Sequence, residues 1–298
     1  MKQEKPSRYH PLLQGAIELH VHSSPSIFPR KQTDWELVEN VWEARMAGVV
    51  IKAHEGETVN RATLLREKFP SLHIYGGLVL NAFTGGLSPL AVDIAIQMGA
   101  KVIWMPTLSA EQHQRYYRQR STGQLYGGAK GFPKTPPLKI LDSKGKLLSE
   151  VVEILHLIAE ANIILATGHL SNQEVHVLVQ EAKQLGIEKI LIQHVDLGIT
   201  RLPLEEQKKL ASMGCILEKC YLACGPDFNN LTVAQMADSI REIGPESCVL
   251  VTDYGQQHNM PPVKALSTFI EQMLENGISE SSIERMVSKN PKQLLDIL

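Results

Sequence analysis

The chain has 298 residues, 43% of them hydrophobic and 21% charged, and 30 Lys and Arg against 32 Asp and Glu leave a net charge of -2. That length accommodates two average domains or one α/β barrel of about 250 residues with insertions, and the apolar share is enough for a large core rather than a disordered chain. The charge balance gives no drive toward nucleic acid or an anionic membrane, no apolar run reaches the roughly 18 residues of a membrane span, and the opening MKQEKPSRYH lacks the apolar stretch of a secretory signal.

In chain order, eight short runs read as buried strands: 16–22, 49–54, 73–81, 101–107, 162–169, 189–194, 215–221 and 248–253. Each is rich in Val, Ile and Leu without strict alternation, as parallel strands covered on both faces should be. Between them, helical periodicity spans 35–47, 89–98, 147–160, 172–185, 204–213 and 233–243, with glycines at 48, 99, 186, 214 and 244 expected as left-handed caps. Eight repeats of strand and helix predict one (β/α)8 barrel over residues 1–298. No G-x-G-x-x-G follows the first strand, which disfavours an open dinucleotide-binding sheet.

Residues 108–146 interrupt the rhythm with 39 residues of Gly, Pro, Tyr and eight basic side chains (Arg115, Arg118, Arg120, Lys130, Lys134, Lys139, Lys144, Lys146) against two acidic ones. A loop of that length is usually functional. It reads equally as a lid that receives an anion and as a solvated loop or subunit contact, so a homo-oligomer stays open. The four cysteines contain no C-x-x-C pair and read as reduced thiols of a cytoplasmic protein.

Histidines concentrate at the ends of the strand runs: His20 and His22 close the first, His54 the second, His169 the fifth and His194 the sixth, while Asp253 closes the eighth. In a parallel barrel those ends converge on one mouth, and the H-x-H spacing turns both rings to the same face of the strand. A single such histidine is most often a hydrogen-bonded core residue, and His10, His73, His113, His156, His176 and His258 are read that way. Convergence at one mouth favours a metal shell instead. Imidazole with carboxylate suits zinc, with iron, manganese or nickel as competitors.

These residues resemble those of the amidohydrolase superfamily, in its phosphotriesterase-like branch. The matching motifs are ELHVH at 18–22, GH at 168–169, QHVD at 193–196, TDYG at 252–255 and NPKQLL at 290–295. Within the superfamily, K-x-H at 52–54 and WMPT at 104–107 are similar to an uncharacterised amidohydrolase-like family. The resemblance implies a metal-dependent hydrolase in which His20, His22 and Asp253 bind one ion, and His169 and His194 bind a second or complete the first. Asp253 would also accept the proton of the activated water, with His194 beside it in the catalytic role. The fourth strand lacks the bridging Lys or Glu of binuclear relatives, so one or two ions remain open. Lys52 reads first as an ion-pair partner of Glu18 and second as a carboxylated ligand; His54 and Glu218 are further candidate ligands. His54 is also similar to the second-strand histidine of the polymerase-and-histidinol-phosphatase metallophosphoesterases, whose late D-x-H is missing here. Asn81, Gln256 and Lys219 are candidates for substrate contact.

The function expected is hydrolysis of an amide, ester, lactone or phosphoester of a small anionic metabolite. Alternatives are a catalytically silent metal- or ligand-binding barrel, and a phosphoesterase or decarboxylase on the same scaffold.

Overall fold

A computed structural model describes residues 9–119 and 135–297. Arg120, Lys130 and Lys134 of the basic segment, and residues 1–8 at the start, lie outside the described residues.

The predicted strands are present as shorter elements, all inside their runs except β2, which starts one residue early: β1 (Ile17–Val21), β2 (Gly48–Ile51), β3 (His73–Tyr75), β4 (Gly77–Val79), β5 (Val102–Trp104), β6 (Ile164–Ala166), β7 (Ile190–Ile192), β8 (Ile216–Cys220) and β9 (Cys248–Val251). All pair in parallel with their sequence neighbours, β1 to β3 in one sheet and β4 to β9 in another. The third run is thus split in two at Gly76, and the cause is Thr58. Its hydroxyl donates to Ile51 O at 2.7 Å and accepts from Gly77 N at 3.0 Å, taking over main-chain groups that a continuous ladder would have paired. A side chain at Gly76 would stand 2.4 Å from the Thr58 carbonyl.

At the other end of the order, Asp253 N donates to His20 O at 3.0 Å and His22 N to Tyr254 O at 2.9 Å, joining the last strand's exit to the first. The ring so closed is a (β/α)8 barrel. Its interior is filled, with Trp104 and Lys52 among the largest fully buried side chains and the Lys52 ammonium 5.6 Å from the indole ring.

The helices are α1 (Asp34–Glu43), α2 (Val59–Lys68), α3 (Pro89–Gln97), α4 (Glu111–Gln119), α5 (Ser149–Ala161), α6 (Asn172–Gln184), α7 (Leu204–Ser212), α8 (Val233–Ile243), α9 (Pro262–Glu275), α10 (Glu280–Glu284) and α11 (Asn290–Leu294). Three start on reciprocal caps, Thr33 with Glu36, Ser171 with Glu174 and Thr232 with Gln235, which satisfy first-turn amides. Two expectations need correction. Helix α1 stops at Glu43 instead of 47 because Arg45 turns left-handed (φ 57°), and Gly48 is not a cap but a strand residue, where any Cβ would fall 2.0 Å from His73 O. The 108–146 segment is also not a plain loop: it carries α4 and is tied down by bridges between Ala110 and Leu138 and between Leu141 and Leu147. The late NPKQLL motif forms α11, and Asn290 donates to the Pro245 and Cys248 carbonyls at 2.8 and 2.7 Å, anchoring the base of β9.

Candidate metal centre

The strand-end residues meet at one mouth. His20 Nε2 and His22 Nε2 lie 3.1 and 2.9 Å from Asp253 Oδ1, and the His194 ring centre lies 5.0 Å from both the His20 and the His169 ring centres. The local backbone aims these groups. His194 and Asp253 both adopt left-handed φ, 56° and 55°, a conformation that costs energy outside glycine and recurs at functional sites. Gly255 follows with φ 136°, and a Cβ there would meet His22 O at 2.0 Å, so the loop after β9 packs against the end of β1 only through a glycine.

Second partners fix the imidazoles. His22 Nδ1–H donates to Lys52 O at 2.8 Å, leaving the Nε2 lone pair toward Asp253. Glu218, fully buried on β8, reaches His20 Nδ1 with one oxygen at 3.1 Å and approaches His194 Nδ1 with the other at 3.2 Å. The second approach lacks hydrogen-bond geometry, and among the described residues the buried His194 Nδ1 has no hydrogen-bond partner. Carboxylates behind imidazoles in this manner orient metal ligands and raise their basicity.

The electrostatics follow from burial and crowding. Burial pulls His22 down to about 3, with Arg30 adding to the shift, and pulls His194 to about 4 against the attraction of Glu218. His54 and His169 are likewise held well below the usual imidazole range by burial. His20 goes the other way, to about 9: burial opposes its charge, but Asp253 and Glu218 outweigh it. Burial opposes the charge of Glu218 and of Asp253 too, yet the surrounding histidines hold Glu218 near 2 and Asp253 well below the carboxylate range. Two ionised carboxylates and a protonated His20 meet at the bottom of the mouth, where His22, His54, His169 and His194 stay neutral. Such a donor set suits a divalent cation.

Among the described residues, three sets of donor atoms lie within 4.8 Å of one another: His20, His22 and Asp253; His20, His194 and Glu218; and His194, Cys220 and Asp253. In a tetrahedral zinc site with bonds of about 2.0 to 2.1 Å, adjacent donors stand roughly 3.3 Å apart, close to the 2.9 and 3.1 Å found for the first group. His194 Nε2 is 3.9 Å from Asp253 Oδ2 and faces the same space. Lys52 stands 3.1 Å from His20 Nε2 and not on Glu18, whose two oxygens instead accept the Thr252 amide and, on one side, the His20 amide. Burial raises Glu18 to about 8 and lowers Lys52, so neither needs the other as a counter-charge.

Around this centre opens a cavity of about 640 Å³, lined among others by His22, His54, His113, His169, Asp253 and Gln256. His54 pairs through Nδ1 with Thr107 Oγ1 at 2.9 Å and stacks on His22 at 4.8 Å. Gln256 donates to Asp253 O at 2.8 Å. Two expected substrate contacts are structural instead. Asn81 is fully buried, with its amide donating to His54 O and Thr107 Oγ1 and its oxygen accepting the Thr107 and Ser109 amides, so no group is left for a ligand. Lys219 points out of the barrel, because alternation along β8 sends Glu218 inward, and it donates to Asp196, Gln207 and Ser239 at 3.1, 2.8 and 2.9 Å.

Three residues of the site were not singled out by sequence. His113, on α4, lies 2.8 Å from His169 through the two Nδ1 atoms and stacks on it at 14°. Cys220 shares the inner face of β8 with Glu218, and its thiol donates to Thr252 O at 3.5 Å. Arg30 joins the cavity wall from the loop after β1. The one signal that could have found any of them is the period of two along β8, which puts Cys220 on the face of Glu218.

Comparison with known proteins agrees on the fold. An amidohydrolase from Pseudomonas aeruginosa is 14% identical, over 95% of this chain and 97% of that one, with a TM-score of 0.64. A phosphotriesterase homology protein from Escherichia coli, complexed with phosphate in its active site, is 14% identical over 95% and 99% at a TM-score of 0.60. A probable 2-pyrone-4,6-dicarboxylic acid hydrolase from Acinetobacter baumannii with citric acid bound is 12% identical over 95% and 100% at 0.58. No curated protein matches. The family model that matches covers residues 15–218, and by it the chain belongs to the family of unknown function DUF6282, on the barrel fold of the amidohydrolases.

Proposed function

We propose that the protein is a divalent-metal-dependent hydrolase of the amidohydrolase type, acting on an amide, ester, lactone or phosphoester of a small anionic metabolite. The observation that carries this reading is the approach of His20 Nε2 and His22 Nε2 to within 3.1 Å of Asp253 Oδ1, backed by Glu218 and opening on a cavity of ligand size. The hydrolase and phosphotriesterase names among the fold relatives point the same way. His20, His22, Asp253 and His194 would hold the ion, with His169 at the cavity edge, and zinc leads the candidates for this donor set. When bound, a divalent ion supplies a Lewis acid that polarises the scissile group and acidifies water.

The chain's own residues do the rest. Asp253 Oδ1 is engaged by His20 and His22, which leaves Oδ2 as the oxygen able to accept a proton. His194 Nε2, 3.9 Å away and neutral at pH 7, would be taken up by the ion, so Asp253 Oδ2 is also the group that returns the proton to a leaving group. Glu218 and the Lys52 carbonyl hold the rings in the tautomer that presents Nε2 to the centre. The Lys52 amine, its hold on a proton weakened by burial, stands 3.1 Å from His20 Nε2.

The test is metal content by mass spectrometry of the purified protein, followed by chelation, reconstitution and turnover of a panel of lactones, amides and phosphoesters carrying acid groups. Activity that disappears on chelation and returns with stoichiometric metal is the expected result. Metal-replete protein that turns over none of the panel, while still binding its acids, would make this a silent binding barrel.

A further inference from the structure

The basic segment, read equally as an anion-receiving lid and as a solvated loop or subunit contact, does not bring its described cations to the mouth. Lys139 pairs with Glu111 at 3.0 Å and Arg115 with Gln112, both beside a second, polar groove at the start of α6. The cation that does line the mouth is Arg30, from a different loop.

Its surroundings are built. Gln257 N donates to Pro29 O at 3.2 Å and Lys31 N to Gly255 O at 2.8 Å, so main-chain bonds on both sides of Arg30 tie it to the segment that carries Asp253. Its Nε donates to Ser26 Oγ at 3.1 Å, and its carbon lies 5.2 Å from the Phe28 ring centre. Among the described residues that is the guanidinium's whole set of partners, and no carboxylate closes an ion pair with it. Glu55, the nearest acidic influence with Asp253, is engaged by Ile27 N. Burial lowers Arg30 to about 10, which leaves it charged at neutral pH. A half-buried guanidinium that lines a cavity, with only its Nε hydrogen-bonded among the described residues, offers a planar fork suited to carboxylate or phosphate oxygens.

Beside it the wall carries an apolar and aromatic stretch, Phe28, Tyr116, Tyr117 and Phe228 with Leu197 and Ile199, while Gln256, Gln257 and Asp227, the last paired with His258 at 2.8 Å, supply polar groups. Tyr117 packs on His113 at 4.8 Å, which in turn pairs with His169, so this wall is continuous with the histidine rim.

We infer that Arg30 selects the substrate, and that the mouth takes a small organic acid whose oxyanion pairs with Arg30 while an apolar or aromatic body lies against Phe28, Tyr116 and Phe228. This rests on the proposed hydrolase reading for what happens to the acid, but not for its binding. Such a ligand arrives with its charged end held on Arg30 and its remaining functional group left for the metal centre.

The experiment measures binding calorimetrically, on chelator-treated protein so that no ion competes for the anion. Benzoate and phenyl phosphate are the two oxyanion probes, benzamide is the neutral counterpart, and acetate and inorganic phosphate lack the body. Benzoate or phenyl phosphate should bind at least tenfold more tightly than benzamide and than the matching small anion, and whichever is tighter identifies the oxyanion. Arg30→Gln should remove that preference, Arg30→Lys should keep part of it, and Arg115→Gln should leave it unchanged. Equal binding of benzoate by Arg30→Gln and wild type, equal binding of benzamide, or no detectable binding of either aromatic anion would overturn the inference. Circular dichroism of each variant guards against misfolding, and Arg30→Lys tests the same point with charge and bulk retained. Binding that behaves as expected in a protein without metal-dependent turnover would remove the hydrolase reading and leave this one standing.

Discussion

The two faces of β8 carry adjacent buried charges with opposite fates. On the outer face, Lys219 is wholly enclosed and satisfied: three acceptors on β7's exit, α7 and α8 take its three protons. On the inner face, Glu218 is equally enclosed but faces two imidazoles, one of which has a nitrogen without a hydrogen-bond partner among the described residues. Outside, the charge is neutralised within the fold and fastens helices to the sheet. Inside, charges crowd together, pKa values move by units in both directions, and two residues accept left-handed backbone to stay there. A buried charge with complete partners is architecture, whereas one left with incomplete partners beside a cavity is a site for something else to complete.

The sharpest way to break that contrast is Asp253→Asn. The amide is nearly isosteric and can still offer its oxygen, but it cannot accept a proton, so turnover should fall by about 10² to 10⁴ with the fold kept. Unchanged turnover in a metal-replete Asn variant would remove Asp253 as the base. On the outer face, Lys219→Met should leave Asp196 as an uncompensated buried charge and cost about 3 to 5 kcal/mol of stability, read as a lower denaturation midpoint. Metal content per folded molecule should stay at the wild-type value; a parallel loss of metal would mean that the two faces are not independent.

Acid should separate the faces as well. His22, His54, His169 and His194 all have folded pKa values below the ordinary imidazole value, so each binds its proton more readily unfolded; their stabilisation is complete above about pH 6.5 and is lost as the pH falls toward the folded values. Glu18, raised to about 8, opposes them by one proton above its unfolded value near 4.5, and His20, raised to about 9, is protonated in both states over this window. Near pH 5 unfolding should therefore take up about three protons net, each contributing about 1.4 kcal/mol per pH unit. The melting temperature of metal-free protein should fall steeply between pH 6.5 and 5, and a flat profile there would contradict the neutral-imidazole arrangement. A smaller effect is expected from Glu218→Gln, which keeps the shape but weakens the support behind His20 and His194. Metal affinity should drop about 10- to 100-fold, and an unchanged affinity in a competitive chelator titration would reduce Glu218 to a packing role.

Much of the barrel was legible because its signals are local. Runs of β-branched residues, helix periodicity and cap residues recur along one dimension, and the strand-end histidines inherit their meeting place from the topology alone. Neighbours with no local relation were not legible. His113 belongs to a helix hidden in a segment rich in Gly, Pro and Tyr, and its pairing with His169 spans 56 residues of sequence. Asn81 and Lys219 had the chemistry of substrate contacts, and only their completed hydrogen bonds assign them to the scaffold.

By itself the sequence determined the parallel barrel, its eight strands and the shared mouth of His20, His22, His169, His194 and Asp253, because alternation and strand order are properties of the chain. Tertiary structure decided which face of β8 turns inward, that Lys52 stands on His20 and not on Glu18, and that Arg30, not the long basic segment's described cations, lines the cavity. The physical reason is that phase, burial and hydrogen-bond completion are set by packing between distant segments. The same side chain is a clamp where its partners are present and a functional group where they are not.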